Sequence, residues 1–176
     1  MSQKPKRLSR TFFSRGAVIV AKELLGKKLV RILPSGEIKS GIITETEAYT
    51  GVEDKACHSY RGKRTKRNEI MYGLAGKVYV YFTYGMHWML NFVVSKKGDP
   101  QAVLIRGLDK ISGPARCTKY LEIDKSFYAE DLTRSKRIWV EDVGTILKGG
   151  EIKKLPRVGI GYAGEWKDKP YRLMLK

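Results

Sequence analysis

Within the segment ETEAYTGVEDKACH, Glu45 and Glu47 stand two residues apart, Tyr49 follows, and His58, one of two histidines in the chain, closes the run. These side chains can give and take protons or hydrogen bonds. They follow the β-branched stretch Ile42-Ile43-Thr44, so the segment reads as a strand that continues through Tyr49. Strand side chains alternate, which places Ile43, Glu45, Glu47 and Tyr49 on one face. Ile43 and Tyr49 imply that this face is at least partly covered. A carboxylate there is costly unless it is paired or held in a cleft. The plainer alternative is an edge strand whose glutamates reach water.

The setting is strongly basic. Lys and Arg number 35 against 18 Asp and Glu, a net charge of +17. A polyanion is the expected partner, either nucleic acid or an anionic membrane surface. No apolar run approaches the roughly 20 residues of a spanning helix, and no secretory signal core follows Met1. No membrane association and no secretion are therefore expected. Cys57 and Cys117 form no closely spaced pair, and with two histidines the chain lacks the usual zinc or iron–sulfur ligand patterns. Free thiols, no metal and no cofactor are expected.

The elements that must carry these residues follow from local pattern. Ser14 is placed to cap a helix in which Ala17, Val18, Ala21, Leu24 and Leu25 recur at helical spacing, with Gly26 as its stop. Leu29 to Leu33, the turn Pro34-Ser35-Gly36 and Ile38 to Tyr49 form a hairpin into the acidic strand. Residues 61–68, RGKRTKRN, read as a basic surface loop. A strand over Val78 to Thr83 puts Tyr79 and Tyr81 on one face and Val78, Val80, Phe82 and Tyr84 on the other. Trp88 to Val94, interrupted chemically by Asn91, turns through Lys96 to Pro100 into Ala102–Ile105, which ends in Arg106. From Gly113 to Asp142 the pattern is more helical and mixed, with Leu121, Ile123 and Phe127 as anchors. A last strand spans Tyr171 to Leu175. The expectation is an α+β fold: residues 1–10 as a basic flexible tail, and residues 11–176 as a single domain with a curved, mostly antiparallel sheet and surrounding helices.

ETEAYTGVEDKACH, GKRTKRN, GKVYVYFTYGMHWMLN, AVLIRGL and RVGIGYAGEWKDKPYRL, in this order, resemble the alkyladenine (3-methyladenine) DNA glycosylase family. The resemblance runs from Phe12-Phe13 to about Leu173. Arg116 stands where the family usually carries lysine, and family contacts beyond the last strand are expected to be missing.

The resemblance implies a monofunctional enzyme that flips alkylated or deaminated purines out of double-stranded DNA. It would hydrolyse the N-glycosidic bond and leave an abasic site. Glu47 would be the catalytic carboxylate that activates water against a developing oxocarbenium ion. Arg106 would help hold that water and keep Glu47 ionised, and the backbone carbonyl of Val158 would be a further water ligand. Tyr49, His58 and Tyr81 would stack on the flipped base, and Asn91 would touch its base-pairing edge. Tyr84 would fill the gap in the duplex, with Met86 and His87 beside it in the minor groove. Arg61, Lys63, Arg64 and Arg67 are candidates for phosphate contact. No Schiff-base lysine is implied, hence no strand cleavage. The resemblance implies a monomer acting in the cytoplasm or nucleoid of a prokaryote, or in a nucleus.

Each residue also has a plainer role. The tyrosine stripe could be sheet packing, His58 a capping residue, Asn91 a strand-bend amide, Arg106 a strand-end cation, and the basic loop a solvated face. A different class of function, a non-catalytic nucleic-acid-binding module that stacks bases on its tyrosines, explains the charge equally well. It gives no reason for Glu45 and Glu47 to lie in a phosphate-binding surface.

Overall fold

The computed structural model describes residues 5–148 and 150–176. In chain order it contains strand β1 (Lys6–Arg7), helices α1 (Arg10–Phe13) and α2 (Ala17–Leu24), and strands β2 (Lys28–Ile32), β3 (Ile38–Tyr49), β4 (Val78–Thr83), β5 (His87–Val94), β6 (Gln101–Leu108) and β7 (Ile111–Ser112). Helix α3 (Pro114–Tyr120) and strands β8 (Ile138–Asp142), β9 (Ile152–Leu155) and β10 (Arg172–Leu175) complete it. The strands form one sheet in the order β1-β8-β2-β3-β6-β5-β4, with β10 also on β3, β9 on β10 and β7 on β6. Neighbouring strands pair antiparallel throughout. The expected α+β fold on a curled antiparallel sheet is what forms.

Strand β3 organises the molecule. Its first half pairs with β2, and its second half lies between β6 and β10. The β3–β6 register shifts between Ile43 and Glu45 and again between Glu45 and Thr46. These irregularities correct the simple alternation. Ile43 packs into the main core together with Ala48, whereas Tyr49 packs on a second cluster with Cys57, Met71 and Tyr79. Ile43 therefore does not share the face of Glu47 and Tyr49, because a bulge reverses side-chain direction along a strand.

The sheet's two faces divide the labour. Val78, Val80, Leu90, Phe92, Val103 and Ile105 form the main core with Phe13, Val20 and Leu24 from the helices. Gly26, at φ +81°, ends α2 as expected, since the left-handed conformation favours glycine. Ser14 does not cap α2: it ends α1, its hydroxyl bonding Arg10 O at 2.9 Å, and Gly16 occupies the N-cap. Val18 of the expected apolar stripe faces outward.

Two further expectations change, and one strand forms where none was expected. Ile138–Asp142, read as part of a helical region, is strand β8, with Ile138 and Val140 buried where it pairs with β2. Ile152–Leu155 adds β9 outside β10. Residues 1–4 of the expected flexible tail lie outside the described residues, but Lys6–Arg7 is paired. Lys6 faces Asp142 and Arg7 faces Glu141 across β8, and the Arg7 guanidinium lies 4.6 Å from the Trp139 ring centre. Strand pairing and a cation–π contact dock this part of the segment.

Candidate active site

The register sets one row of directly paired residues across five strands. Arg172 faces Glu47, Glu47 faces Leu104, Leu104 faces Asn91, and Asn91 faces Tyr79. Paired residues project to the same side, about 4.8 Å apart from strand to strand. Residues from β3, β5 and β4, far apart in sequence, thereby come to one face.

Glu47 is the most constrained group there. It is fully buried. Its Oε1 accepts the Val158 amide N–H at 2.8 Å, and its Oε2 accepts the Tyr49 hydroxyl at 2.8 Å. The Arg106 Nε lies 3.5 Å from Oε1. Arg106 is the residue left over between the Glu45–Gly107 and Thr46–Ile105 pairs, so the irregular register lets it reach the carboxylates. Its Nε also bonds Glu45 Oε1 at 3.2 Å, and the same oxygen accepts from Arg172 at 3.0 Å. The result is an alternating series Arg172–Glu45–Arg106–Glu47. Gly107 permits the close approach, since a side chain there would meet the Glu45 Cβ at 3.0 Å.

Burial raises the pKa of Glu47 above the ordinary carboxylate value, against the opposing pull of Arg106, the Val158 N–H, the Tyr49 hydroxyl and Arg157. The expectation that a cation favours the ionised form is correct in sign, but desolvation outweighs it. A carboxylate shifted upward in this way is a better proton acceptor.

The aromatic residues gather beside it. Tyr49, His58, Tyr81 and Asn91 surround a cavity of about 20 Å³, together with Cys57, Met71 and Tyr79. The rings of His58 and Tyr81 meet edge to face at 4.7 Å between centres. His58 Nδ1 and the Tyr79 hydroxyl share a hydrogen bond of 2.8 Å. Burial, reinforced by Arg67 and Lys63, lowers the His58 pKa to about 4, so the imidazole is neutral at physiological pH. Burial raises Tyr81 to about 12 and Tyr49 well above the usual phenol value. Asn91 donates its amide to the carbonyls of Tyr79 and Met89 at 3.2 and 3.4 Å. Strand β5 runs unbroken through Asn91, so the residue marks no strand bend, but its amide is hydrogen-bonded to backbone while it lines the cavity.

The tip of the β4–β5 hairpin is built differently. Tyr84 and Gly85 both have positive φ, and the Met86 N–H closes the turn on Thr83 O at 3.2 Å. Tyr84 is 81% exposed, Met86 and Phe82 are exposed too, and so is His87. A tyrosine held at φ +52° is uncommon and uphill by about 1 kcal/mol or more.

Arg61, Lys63, Arg64 and Arg67 are all exposed, on a loop that is more ordered than its composition implies. Asn68, itself buried, ties it down through Nδ2 to His58 O at 3.0 Å and Lys63 O at 2.9 Å, while its Oδ1 accepts Thr65 N at 2.7 Å. Arg64 is engaged with Glu69, whereas Lys63 and Arg67 line a cleft of about 490 Å³ that opens next to His58. A larger cleft of about 550 Å³, lined in part by Lys22, Lys27, Leu147 and Lys154, shares no residue with this constellation. The candidate site stands out by its chemistry rather than by cleft size. Val158 lies in the site, although the contact it makes to Glu47 is through its N–H. Arg116 is exposed on α3. Among the described residues no three His, Cys, Asp or Glu side chains converge as a metal ion would require, and no helix is long and apolar enough to cross a membrane.

Sequence reasoning missed Asp54, Arg157 and Arg172. Arg157 and Asp54 form a fully buried bidentate pair at 2.6 and 2.8 Å beneath Tyr49. Both lie within the quoted motifs, but the contact that pairs them spans 103 residues and leaves no mark in local pattern.

Residues 11–112 and 108–176 match the family described as methylpurine-DNA glycosylase. The chain belongs to the methylpurine-DNA glycosylase family. Membership places it among DNA glycosylases, as the motifs implied. It is 43% identical to a protein of Desulfitobacterium hafniense (strain Y51), over 97% of this chain and 96% of that one. A protein of Natranaerobius thermophilus is 40% identical over the same shares, and one of Borrelia garinii subsp. bavariensis is 44% identical over 76% of this chain and 77% of its own. All three bear the name "Putative 3-methyladenine DNA glycosylase". The family match spans both the Glu47 strand and the Val158 segment that hydrogen-bonds it.

Proposed function

We propose that this DNA glycosylase flips alkylated or deaminated purines out of duplex DNA, acts as a monomer, and hydrolyses the N-glycosidic bond with a water activated by Glu47. The observation that carries this reading is the buried Glu47 carboxylate, oriented by donors on both oxygens and placed in one row with Asn91 and Tyr79. Each carboxylate oxygen keeps a second lone pair for water. As the base leaves, positive charge grows on the sugar, and an ionised Glu47 stabilises it while taking the proton of the attacking water. The Val158 carbonyl is proposed as a second ligand to that water. Hydrolysis by an activated water needs no Schiff-base lysine, so cleavage of the strand is not part of the proposed reaction.

Substrate choice follows from charge. Alkylation at N3 or N7 makes a purine cationic, which improves it as a leaving group and strengthens each aromatic contact by about 0.5–2 kcal/mol. A neutral His58 does not repel such a base, but it also supplies no strong acid. Neutral lesions such as hypoxanthine and etheno-adenine are therefore expected to react more slowly than 3-methyladenine or 7-methylguanine. A base stacked between His58 and Tyr81 needs about 7 Å between the rings, two van der Waals contacts. At 4.7 Å and edge to face, the two rings leave no room for a base between them as they stand, so the proposed stacking requires them to move apart.

The test is incubation with duplexes carrying single hypoxanthine, etheno-adenine or 7-methylguanine lesions, followed by alkali to reveal abasic sites. Lesion binding without any abasic site would favour the base-stacking module instead.

Tyr84 is proposed as the wedge that occupies the vacated stack, with Met86 and His87 flanking it in the minor groove. Its exposure and uphill backbone at a hairpin tip support that role. Tyr84→Ala should weaken lesion binding and slow base extrusion, least for mismatched lesions that are already unpaired. A fluorescent base placed in the lesion strand reads this directly. Extrusion at the wild-type rate would remove Tyr84 from the role.

Phosphate contacts are proposed for the basic loop. Each phosphate neutralised contributes a slope of about −0.9 to log K against log salt. Lys63→Ala and Arg67→Ala should each flatten that slope by about one unit on undamaged duplex. Arg64→Ala should change it less, because Arg64 already pairs with Glu69. Arg61 is included in the same titration series, and slopes equal to wild type in all four variants would make the loop merely a solvated face.

A further inference from the structure

Asp54 and Arg157 are both fully buried as side chains. The pair joins three stretches of chain. Arg157 forks onto both Asp54 oxygens at 2.6 and 2.8 Å and also donates to Ala48 O, at the end of β3, at 2.9 Å. Asp54 accepts the backbone N–H of Thr50 and of Ala56, each at 3.0 Å. The guanidinium lies 4.8 Å from the centre of the Tyr49 ring and 5.4 Å from that of Tyr171.

Every stretch so joined carries a working group. Val158, next to Arg157, donates its N–H to Glu47 Oε1, and Tyr49, between Ala48 and Thr50, donates to Oε2. Ala56 leads into Cys57 and His58 of the base cavity. The pair is an inefficient way to obtain stability. Buried ion pairs are often no better than apolar residues of the same volume, and among the described residues the Arg157 Nε is buried without a partner. What a planar fork supplies that apolar packing cannot is fixed direction at several acceptors at once.

We infer that Asp54 and Arg157 are positioning residues, which set the two donors on Glu47 and the aromatic wall beside it. This deepens the proposed hydrolysis and rests on that reading. Arg157 does not line the base cavity and makes no hydrogen bond to Glu47; its proposed action runs through Val158 and Tyr49. The charged and titratable groups around Glu47 are Arg106 from β6, Arg172 from β10, Glu45 and Tyr49 from β3, Tyr81 from β4, and Arg157 itself. Loosening the pair withdraws two donors, and losing Arg157 also withdraws one cation. Both changes favour the protonated carboxyl.

The experiment uses Arg157→Lys, which keeps the charge without the fork, and the doubly neutral Asp54→Asn/Arg157→Gln, which leaves no lone buried ion. Single-turnover excision, lesion affinity and thermal melting are measured against wild type. The excision rate constant should fall by about 10- to 100-fold, the scale of a displaced catalytic group, and by more than lesion affinity, which falls only as far as the aromatic wall shifts. In parallel, the Glu47 carboxyl is titrated by carbon NMR without DNA, and its midpoint should rise in both variants, more in the doubly neutral one. A lower melting temperature with an unchanged rate constant and unchanged midpoint would make the pair merely structural and overturn the inference. The titration needs no activity. Wild type that releases no base from any lesion would therefore defeat the proposed function, while the midpoint still decides the role of the pair.

Discussion

Glu47→Gln should bind lesion DNA as wild type does and lose excision by at least about 10²-fold, the lower end of what a general base contributes. The amide keeps the shape: its oxygen can still accept the Val158 N–H that reaches Oε1 at 2.8 Å. It cannot take a proton from water. The same substitution should also leave the protein at least as stable at neutral pH. Burial raises the folded pKa of Glu47 above its unfolded value. Such a group favours the folded state below the unfolded pKa, and that contribution is lost as pH rises through the folded value. At pH 7 an ionised Glu47 is thus a liability that Gln removes, the usual cost of a preorganised site. Single-turnover excision and urea unfolding at pH 5 and 8 test both halves. Near-normal excision by Glu47→Gln would end the assignment.

Arg106→Gln should be the most damaging change at a residue that is not itself the base. Arg106 bonds Glu45 at 3.2 Å and lies 3.5 Å from Glu47, with both carboxylates buried. Arg172 still serves Glu45, but Glu47 loses its nearest cation. Breaking a buried pair costs on the order of 3 kcal/mol, and protonation of Glu47 is the cheapest relief. The acid limb of the excision profile should therefore move to higher pH, with activity at pH 7 well below wild type and partly recovered at pH 9. The sign for stability follows from the same linkage: with the folded pKa raised further, the deficit should be largest at alkaline pH and shrink below the unfolded carboxyl pKa. An unchanged acid limb, read from single-turnover rates across pH, would show that Arg106 does not act on Glu47.

The local pattern along the chain was enough for much of this. Strand β4 and its two tyrosine-bearing and valine-bearing faces are legible because a strand's period is two and the alternation is unbroken. The hairpin into Glu45–Tyr49 is legible from its turn residues, and the motif order pointed to the family that the chain belongs to. Two expectations failed where tertiary context overrides local pattern. Ile138–Asp142 is short and ends in two acids, and becomes a strand because β2 supplies its hydrogen bonds. Ser14 has a capping side chain, but the chain breaks between α1 and α2 and leaves Gly16 at the cap.

For the site, residue types determined which groups could do chemistry, and the +17 charge pointed to a polyanion, which the motifs narrowed to DNA. Only the tertiary structure decided how those groups meet. The register brings Arg172, Glu47, Asn91 and Tyr79 into one row, the irregular β3–β6 pairing turns Arg106 onto two carboxylates, and Asp54 finds Arg157 across 103 residues. A periodicity is a property of neighbours along the chain, whereas pairing, burial and the resulting shift of a carboxyl pKa belong to neighbours in space.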